Sequence, residues 1–130
     1  MRIAKQLSVF LKNKPGTLSG ICELLHESGI NILGFSVSDS VDHAVVRLVV
    51  SDPLRALHLL GDSGILVLDN DVLCVPLDNE PGQLANLSNK LAANCINIEY
   101  AYGGIDEAAK TGVLFLRVSD TKAALQAICS

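Results

Sequence analysis

A chain of 130 residues, 49% of them hydrophobic and 18% charged, can bury a real core, either as one domain or as two small ones sharing an interface. Its formal net charge of −4, from 14 acidic and 10 basic residues with no basic cluster, sets aside nucleic acid and anionic membrane as partners, because phosphate binding needs grouped Lys and Arg. No stretch approaches the ~20 apolar residues of a membrane span, and the amino terminus has no signal-peptide core, so a cytoplasmic protein is expected.

Ile3 to Leu11 is rich in apolar, β-compatible residues and predicts a strand, ended by the turn-forming Lys12-Asn13-Lys14-Pro15-Gly16. Leu18, Ile21, Cys22 and Leu25 then fall at i, i+3, i+4 and i+7, one apolar stripe of a helix that Ser28-Gly29 can stop. Ile30 to Val37 predicts a second strand, Asp39 to Asp42 a turn, and Ala44 to Val50, apolar apart from Arg47, an interior strand. Asp52-Pro53 starts a second helix, with Asp as cap and Pro in the first turn, and Leu54, Leu57 and Leu60 supply its buried side before Gly61. Ile65 to Leu68 closes a β-α-β-β-α-β unit as its fourth strand.

The plan then repeats. Asn13-Lys14-Pro15-Gly16-Thr17-Leu18 is matched 66 positions later by Asn79-Glu80-Pro81-Gly82-Gln83-Leu84, and Ile30-Asn31-Ile32 by Ile96-Asn97-Ile98 at the same spacing. That period is too long for a solenoid unit and right for a small domain written twice. Val72 to Leu77 is the strand of the second copy, Leu84, Leu87 and Leu91 its helical stripe, and Asn94 the residue expected to take the left-handed exit that Gly29 supplies in the first. Ile96 to Tyr102 and Thr111 to Val118 make the hairpin, and Ser119-Asp120 opens a last helix through Leu125 and Ile128. The expected fold class is therefore α+β, two ferredoxin-like βαββαβ repeats spanning 1–70 and 71–130, the second lacking its last strand. Asp69-Asn70-Asp71 joins them and is too short for a flexible linker, so a rigid pair is expected. The edge of Val72 to Leu77 is expected to be covered by Ile65 to Leu68 or by a second chain.

This scaffold hosts unrelated functions, so the site residues must decide. RNA recognition on such a sheet needs exposed aromatics and cations, and Ala44 to Val50 has no aromatic. Cys22, Cys74, Cys95 and Cys129 form no Cys-x-x-Cys pair and are expected to be buried small hydrophobes. His26, His43 and His58 lack metal-ligand spacing, and Asp62, Asp69, Asp71 and Asp78 look like turn and strand-end residues. No metal, cofactor or catalytic group is expected. Arg47 and Arg117 are read as keeping an exposed strand face soluble, with pairing to a carboxylate or a place at an interface as the other reading.

What remains is the doubled loop. Pro15 and Pro81 set the approach of the chain, and Gly16 and Gly82, lacking Cβ, let a ligand come close to the first helical turn. Amides of that turn have no intrahelical acceptor and suit a carboxylate. Thr17 and Gln83 can add side-chain hydrogen bonds, and Asn13 and Asn79 can face an ammonium or a carboxylate. A tight turn with no ligand is the plainer alternative for each loop taken alone.

With strand, Asn-x-Pro-Gly-x-Leu, helix, Ile-Asn-Ile and hairpin all appearing twice, the sequence resembles the ACT-domain family, and more narrowly a stand-alone protein of two ACT repeats. The resemblance implies a small regulatory domain that binds an amino acid or a similar molecule between paired domains. It implies that Asn13, Pro15, Gly16 and Thr17, with Asn79, Pro81, Gly82 and Gln83, border the ligand, and that Asn31 and Asn97 face it. The copies differ at Lys14 versus Glu80 and at Thr17 versus Gln83, so the two sites need not be equal. The expectation is a non-enzymatic, homodimeric amino-acid sensor acting on a separate partner, such as an amino-acid metabolic enzyme, or through a transcriptional circuit. Its rival is a ligand-free module that assembles through apolar sheet faces.

Overall fold

In the computed structural model, which describes residues 1–39 and 43–129, the elements follow in the order β1 (Arg2–Lys12), α1 (Thr17–Glu27), β2 (Ile32–Asp39), β3 (His43–Val50), α2 (Pro53–Asp62), β4 (Leu66–Asp78), α3 (Gln83–Ala93), β5 (Ile98–Gly104), β6 (Thr111–Val118) and α4 (Thr121–Cys129). Asp39 ends β2, and the rest of the expected turn, Ser40 to Asp42, lies outside the described residues. Two compact units divide the chain: Lys5–Asn70, and Met1–Ala4 together with Asp71–Ser130.

In the Lys5–Asn70 unit, β3 pairs antiparallel with β1 on one side and β2 on the other, Val46 standing opposite both Val9 and Val37. Strand alternation sends Leu7, Val9, Val46 and Leu48 to one face, where Ile21 and Leu25 of α1 and Ala56 and Leu60 of α2 cover them. Ile65 and Val67 pack against the same core. The cap expected at Asp52 is present, its carboxylate accepting from the Arg55 amide at 3.2 Å.

The other unit repeats the design. β6 pairs antiparallel with β4 and β5, Leu116 standing opposite both Leu73 and Ala101. Leu73, Val75, Leu87, Leu91, Leu116, Val118, Ala124 and Ile128 form its core. Leu91, like its counterpart Leu25, is fully buried. Met1–Ala4, which the sequence assigns to the first copy, clusters here, and Ile3 packs against this core. Ile65 to Leu68 does not lie along the edge of Val72 to Leu77 as expected, because Leu66 to Leu68 and Val72 to Leu77 belong to one continuous strand, β4.

Several local expectations are corrected. Asp69-Asn70-Asp71 is not a turn between two strands but the middle of β4. Its turn propensity is overridden by partners remote in sequence: Asp69 lies 4.0 Å from Lys5 Nζ, Asn70 Oδ1 accepts from Gln6 Nε2 at 3.1 Å, and the Asp71 carbonyl accepts from Arg117 at 2.8 Å. Asn94 does not turn left-handed; it has φ −102°, and Cys95 takes the exit at φ 58°, matching Gly29 at φ 70°. Cys95 and Cys129 are exposed and Cys22 and Cys74 half-buried, so the thiols are not core residues. Arg117 is no solvated strand residue: besides the Asp71 carbonyl, it lies 3.7 Å from Glu99.

Candidate ligand-binding site

Both Pro-Gly loops fold alike because both need a left-handed residue ahead of the helix. Gly16 has φ 90° and ψ −12°, Gly82 φ 92° and ψ −6°, and each is the N-cap of its helix without a side-chain cap. An L side chain is strained at such a φ, so glycine is required by the turn itself. The Gly16 carbonyl accepts from the Gly20 amide at 3.0 Å and the Gly82 carbonyl from Asn86 at 2.9 Å, which starts each helical ladder. Among the described residues, no acceptor takes the amides of Leu18 and Ser19 in the first copy, or of Gln83, Leu84 and Ala85 in the second. The vacant donors that the sequence argument requires are therefore there, although Thr17 N–H makes a long 3.5 Å contact to the Lys14 carbonyl.

The side chains treat the two loops differently. Thr17 Oγ1 donates toward the Lys12 and Lys14 carbonyls, both at 3.0 Å, so its hydroxyl braces its own loop. Gln83 makes no such contact and lines a cleft of about 470 Å³, together with Asn86, Asn89 and Lys90 of α3 over a floor of Val75, Leu77, Leu87 and Ile128. Asn79 uses both amide hydrogens on the loop before β6, donating to the Glu107 carbonyl at 3.0 Å and the Ala109 carbonyl at 2.8 Å. Its backbone N–H adds a bond to the Lys110 carbonyl at 2.9 Å. Only the side-chain oxygen is left for a ligand, and Asn79 borders a second, shallow cleft of about 620 Å³ with Asp78, Glu80, Lys110 and Thr111.

Asn31 and Asn97 precede β2 and β5 rather than opening them. Each is tied to the end of the neighbouring strand by its backbone: Asn31 N–H donates to Ser51 Oγ at 2.9 Å and its carbonyl accepts from Ser51 N–H at 2.9 Å, with Asn97 and Ser119 repeating the pair at 3.1 and 3.0 Å. The backbone bonds leave both exposed side-chain amides pointing from fixed positions. Asn13, Pro15, Gly16, Pro81 and Gly82 are exposed; Pro81, Gly82 and Asn97 line neither of the two clefts. Asn86 and Lys90 were not singled out from sequence, although they lie at i+3 and i+7 from Gln83 and so share its side of α3. Among the described residues no group of three or more His, Cys, Asp or Glu is placed to hold a metal, and no helix is long and apolar enough to cross a membrane.

The whole chain, residues 1–130, matches the family profile described as an ACT domain pair. Among solved structures, protein BT0572 from Bacteroides thetaiotaomicron is 32% identical, with 97% of this chain and 86% of that one covered and a TM-score of 0.90. The regulatory subunit of aspartate kinase from Thermus thermophilus, in a ligand-free form, is 17% identical with 98% and 95% covered and a TM-score of 0.73. That from Thermus flavus is 18% identical with 97% and 90% covered and a TM-score of 0.65. At those identities the two kinase subunits share the fold alone. No curated protein matches the chain.

Proposed function

Since the chain belongs to the family of ACT domain pairs, we propose that it is a non-catalytic, cytoplasmic regulator that binds a free amino acid and transmits its level to a separate partner, an enzyme of amino-acid metabolism. The observation that carries this is the pair of superposable Pro-Gly turns at Gly16 and Gly82, each followed by amides without an acceptor. Such amides suit a carboxylate, helped by the positive end of the helix dipole. The Asn79 side-chain oxygen, its N–H groups being taken, is left to accept from an ammonium. Regulatory subunits of aspartate kinase share this fold, which supports a role beside such an enzyme.

The copies are not equal on this reading. The second is the stronger site, because Gln83 is free to reach a ligand while the Thr17 hydroxyl is held by the Lys12 and Lys14 carbonyls. Coupling follows if the partner prefers the ligand-bound conformation. Thermal unfolding against each proteinogenic amino acid tests the proposal. A ligand that binds only the native protein, at 100 times its Kd, adds about 2.7 kcal/mol, an easily measured rise in melting temperature. Gln83→Ala should abolish the shift and Thr17→Val should largely keep it. A flat panel would overturn the reading.

A further inference from the structure

The internal repeat supplies its own control for the cleft along α3. The four polar side chains that line it, Gln83, Asn86, Asn89 and Lys90, stand 66 positions after Thr17, Gly20, Glu23 and Leu24. Both helices meet their cores through the same pair of positions, Ile21 and Leu25 in α1 and Leu87 and Leu91 in α3. The first copy folds with no carboxamide and no ammonium at the four places, and its Leu24 packs against the core instead. Folding therefore does not account for the polar set on α3.

These side chains are also unengaged. Asn79 and Asn94 in the same repeat donate to the carbonyls of Glu107, Ala109 and Lys90. Among the described residues, by contrast, the side chains of Gln83, Asn86 and Asn89 make no hydrogen bond, and no carboxylate pairs with Lys90. Neither Asp nor Glu lines the cleft, so Lys90 is its one charged side chain. Gln83, Asn86 and Lys90 fall at i, i+3 and i+7, on one side of α3. Helical side chains lean toward the helix start, which brings the Lys90 charge back toward Asn86 and Gln83. Beneath them Val75, Leu87 and Ile128 are buried and Leu77 half-buried, a floor that suits methylene groups.

We infer that the ligand of the second repeat is a dicarboxylic amino acid, glutamate or aspartate, whose side-chain carboxylate is held in this cleft by Lys90 with the Gln83 and Asn86 amides. This rests on the reading that an amino acid binds at this repeat, and adds the class of its side chain. Carboxamides alone do not separate an acid from its amide, because they both donate and accept; an ammonium only donates. Lys90 therefore favours a carboxylate over the neutral side chains of glutamine and asparagine, and repels those of lysine and arginine. The cleft of about 470 Å³ falls within the ordinary range of small-molecule sites. The first copy offers no equivalent, since Leu24 replaces the lysine and Glu23 adds a repelling carboxylate, so an acidic ligand binds once per chain.

Calorimetric titration of the full chain with glutamate, aspartate, glutamine, asparagine and lysine tests it. One equivalent of the acidic amino acid should bind about fivefold more tightly than its amide, the upper range for an exposed ion pair. Added salt should narrow that ratio. Lys90 is exposed, so its replacement should leave the far-ultraviolet circular dichroism unchanged. Lys90→Met should bring acid and amide to equal affinity, Lys90→Arg should keep the preference, and Lys90→Glu should turn it toward lysine. Binding of neutral or basic amino acids in place of acidic ones, or a preference for the acid that survives Lys90→Met, overturns the inference and leaves the regulatory reading standing. A protein that binds no amino acid at all overturns both.

Discussion

The Asn79 side chain donates to the Ala109 carbonyl at 2.8 Å, thirty residues away, and in doing so ties the Pro-Gly turn to the loop between β5 and β6. A second bond reaches the Glu107 carbonyl at 3.0 Å. Because the site is exposed, removing the donors lets water reach the two carbonyls, and Asn79→Ala should cost about 1–2 kcal/mol, the net worth of two such bonds. Asn79→Asp should cost more, since a carboxylate has no hydrogen to offer and would face two carbonyl oxygens. Urea denaturation of the three proteins checks the order. Equal midpoints would mean that the loop is held by the Asn79 backbone bond alone.

Cys95 occupies the left-handed position that Gly29 fills in the first copy. A residue with a Cβ pays roughly 1–2 kcal/mol there, against the smaller entropic cost of glycine in the unfolded chain. Cys95 is exposed, so little packing is lost on its removal. Cys95→Gly should therefore raise stability by about 0.5–1 kcal/mol, and Gly29→Ala, where no atom lies within 4 Å of the added Cβ, should lower it by about 1 kcal/mol through backbone strain alone. Paired denaturation curves decide it: a Cys95→Gly protein less stable than its parent would show that the thiol contributes a contact worth more than the strain.

The repeat and the helical stripes made most of the fold legible, because Leu25 and Leu91 have to face a core whatever lies beneath them, and both do. Asp69-Asn70-Asp71 was misleading for the opposite reason. Turn propensity is local, while Lys5, Gln6 and Arg117, which hold those three residues in a strand, are far along the chain. At the site, Pro-Gly marked a turn ahead of each helix, but the left-handed backbone of Gly16 and Gly82 emerged only in the structure. The inequality of the copies was visible as Thr17 against Gln83, but its sense was not. A short hydroxyl reaches the nearby Lys12 and Lys14 carbonyls, whereas Gln83 makes no such bond in its own loop and lines a cleft whose other walls only folding brings together.

Arg117 tests which kind of contact matters on the strand face. Its Nη1 donates to the Asp71 carbonyl at 2.8 Å, and its Nε lies 3.7 Å from Glu99, with side-chain exposures of 30% and 45%. The ion pair is screened at that exposure and is worth at most about 0.5 kcal/mol. A bond from a charged donor to a carbonyl in the interior of a strand is worth more. Arg117→Met should cost about 1–2 kcal/mol and Glu99→Gln at most about 0.5 kcal/mol, as read from urea midpoints. If Glu99→Gln proves as damaging as Arg117→Met, the ion pair rather than the carbonyl contact holds the guanidinium.

Gln6 is the one polar residue fully buried among the described residues, and its Nε2 donates to Asn70 Oδ1 at 3.1 Å. Gln6→Leu keeps the volume but leaves half-buried Asn70 short of a donor, a loss of about 1–2 kcal/mol. The double variant Gln6→Leu/Asn70→Leu should lose less than the two single changes added together, because the orphaned partner goes too. Gln6→Glu separates burial from hydrogen bonding. A carboxyl with no access to water has its pKa raised above the ~4.3 of an exposed Glu, so the native state holds the proton more tightly than the unfolded chain does. Stability contributed by that proton is complete below the unfolded pKa and is lost as pH rises through the folded one. The stability gap between Gln6→Glu and the parent should accordingly be small near pH 4 and widen toward pH 8, measured by urea denaturation at each pH. A gap that does not change with pH would mean that water reaches this position in solution.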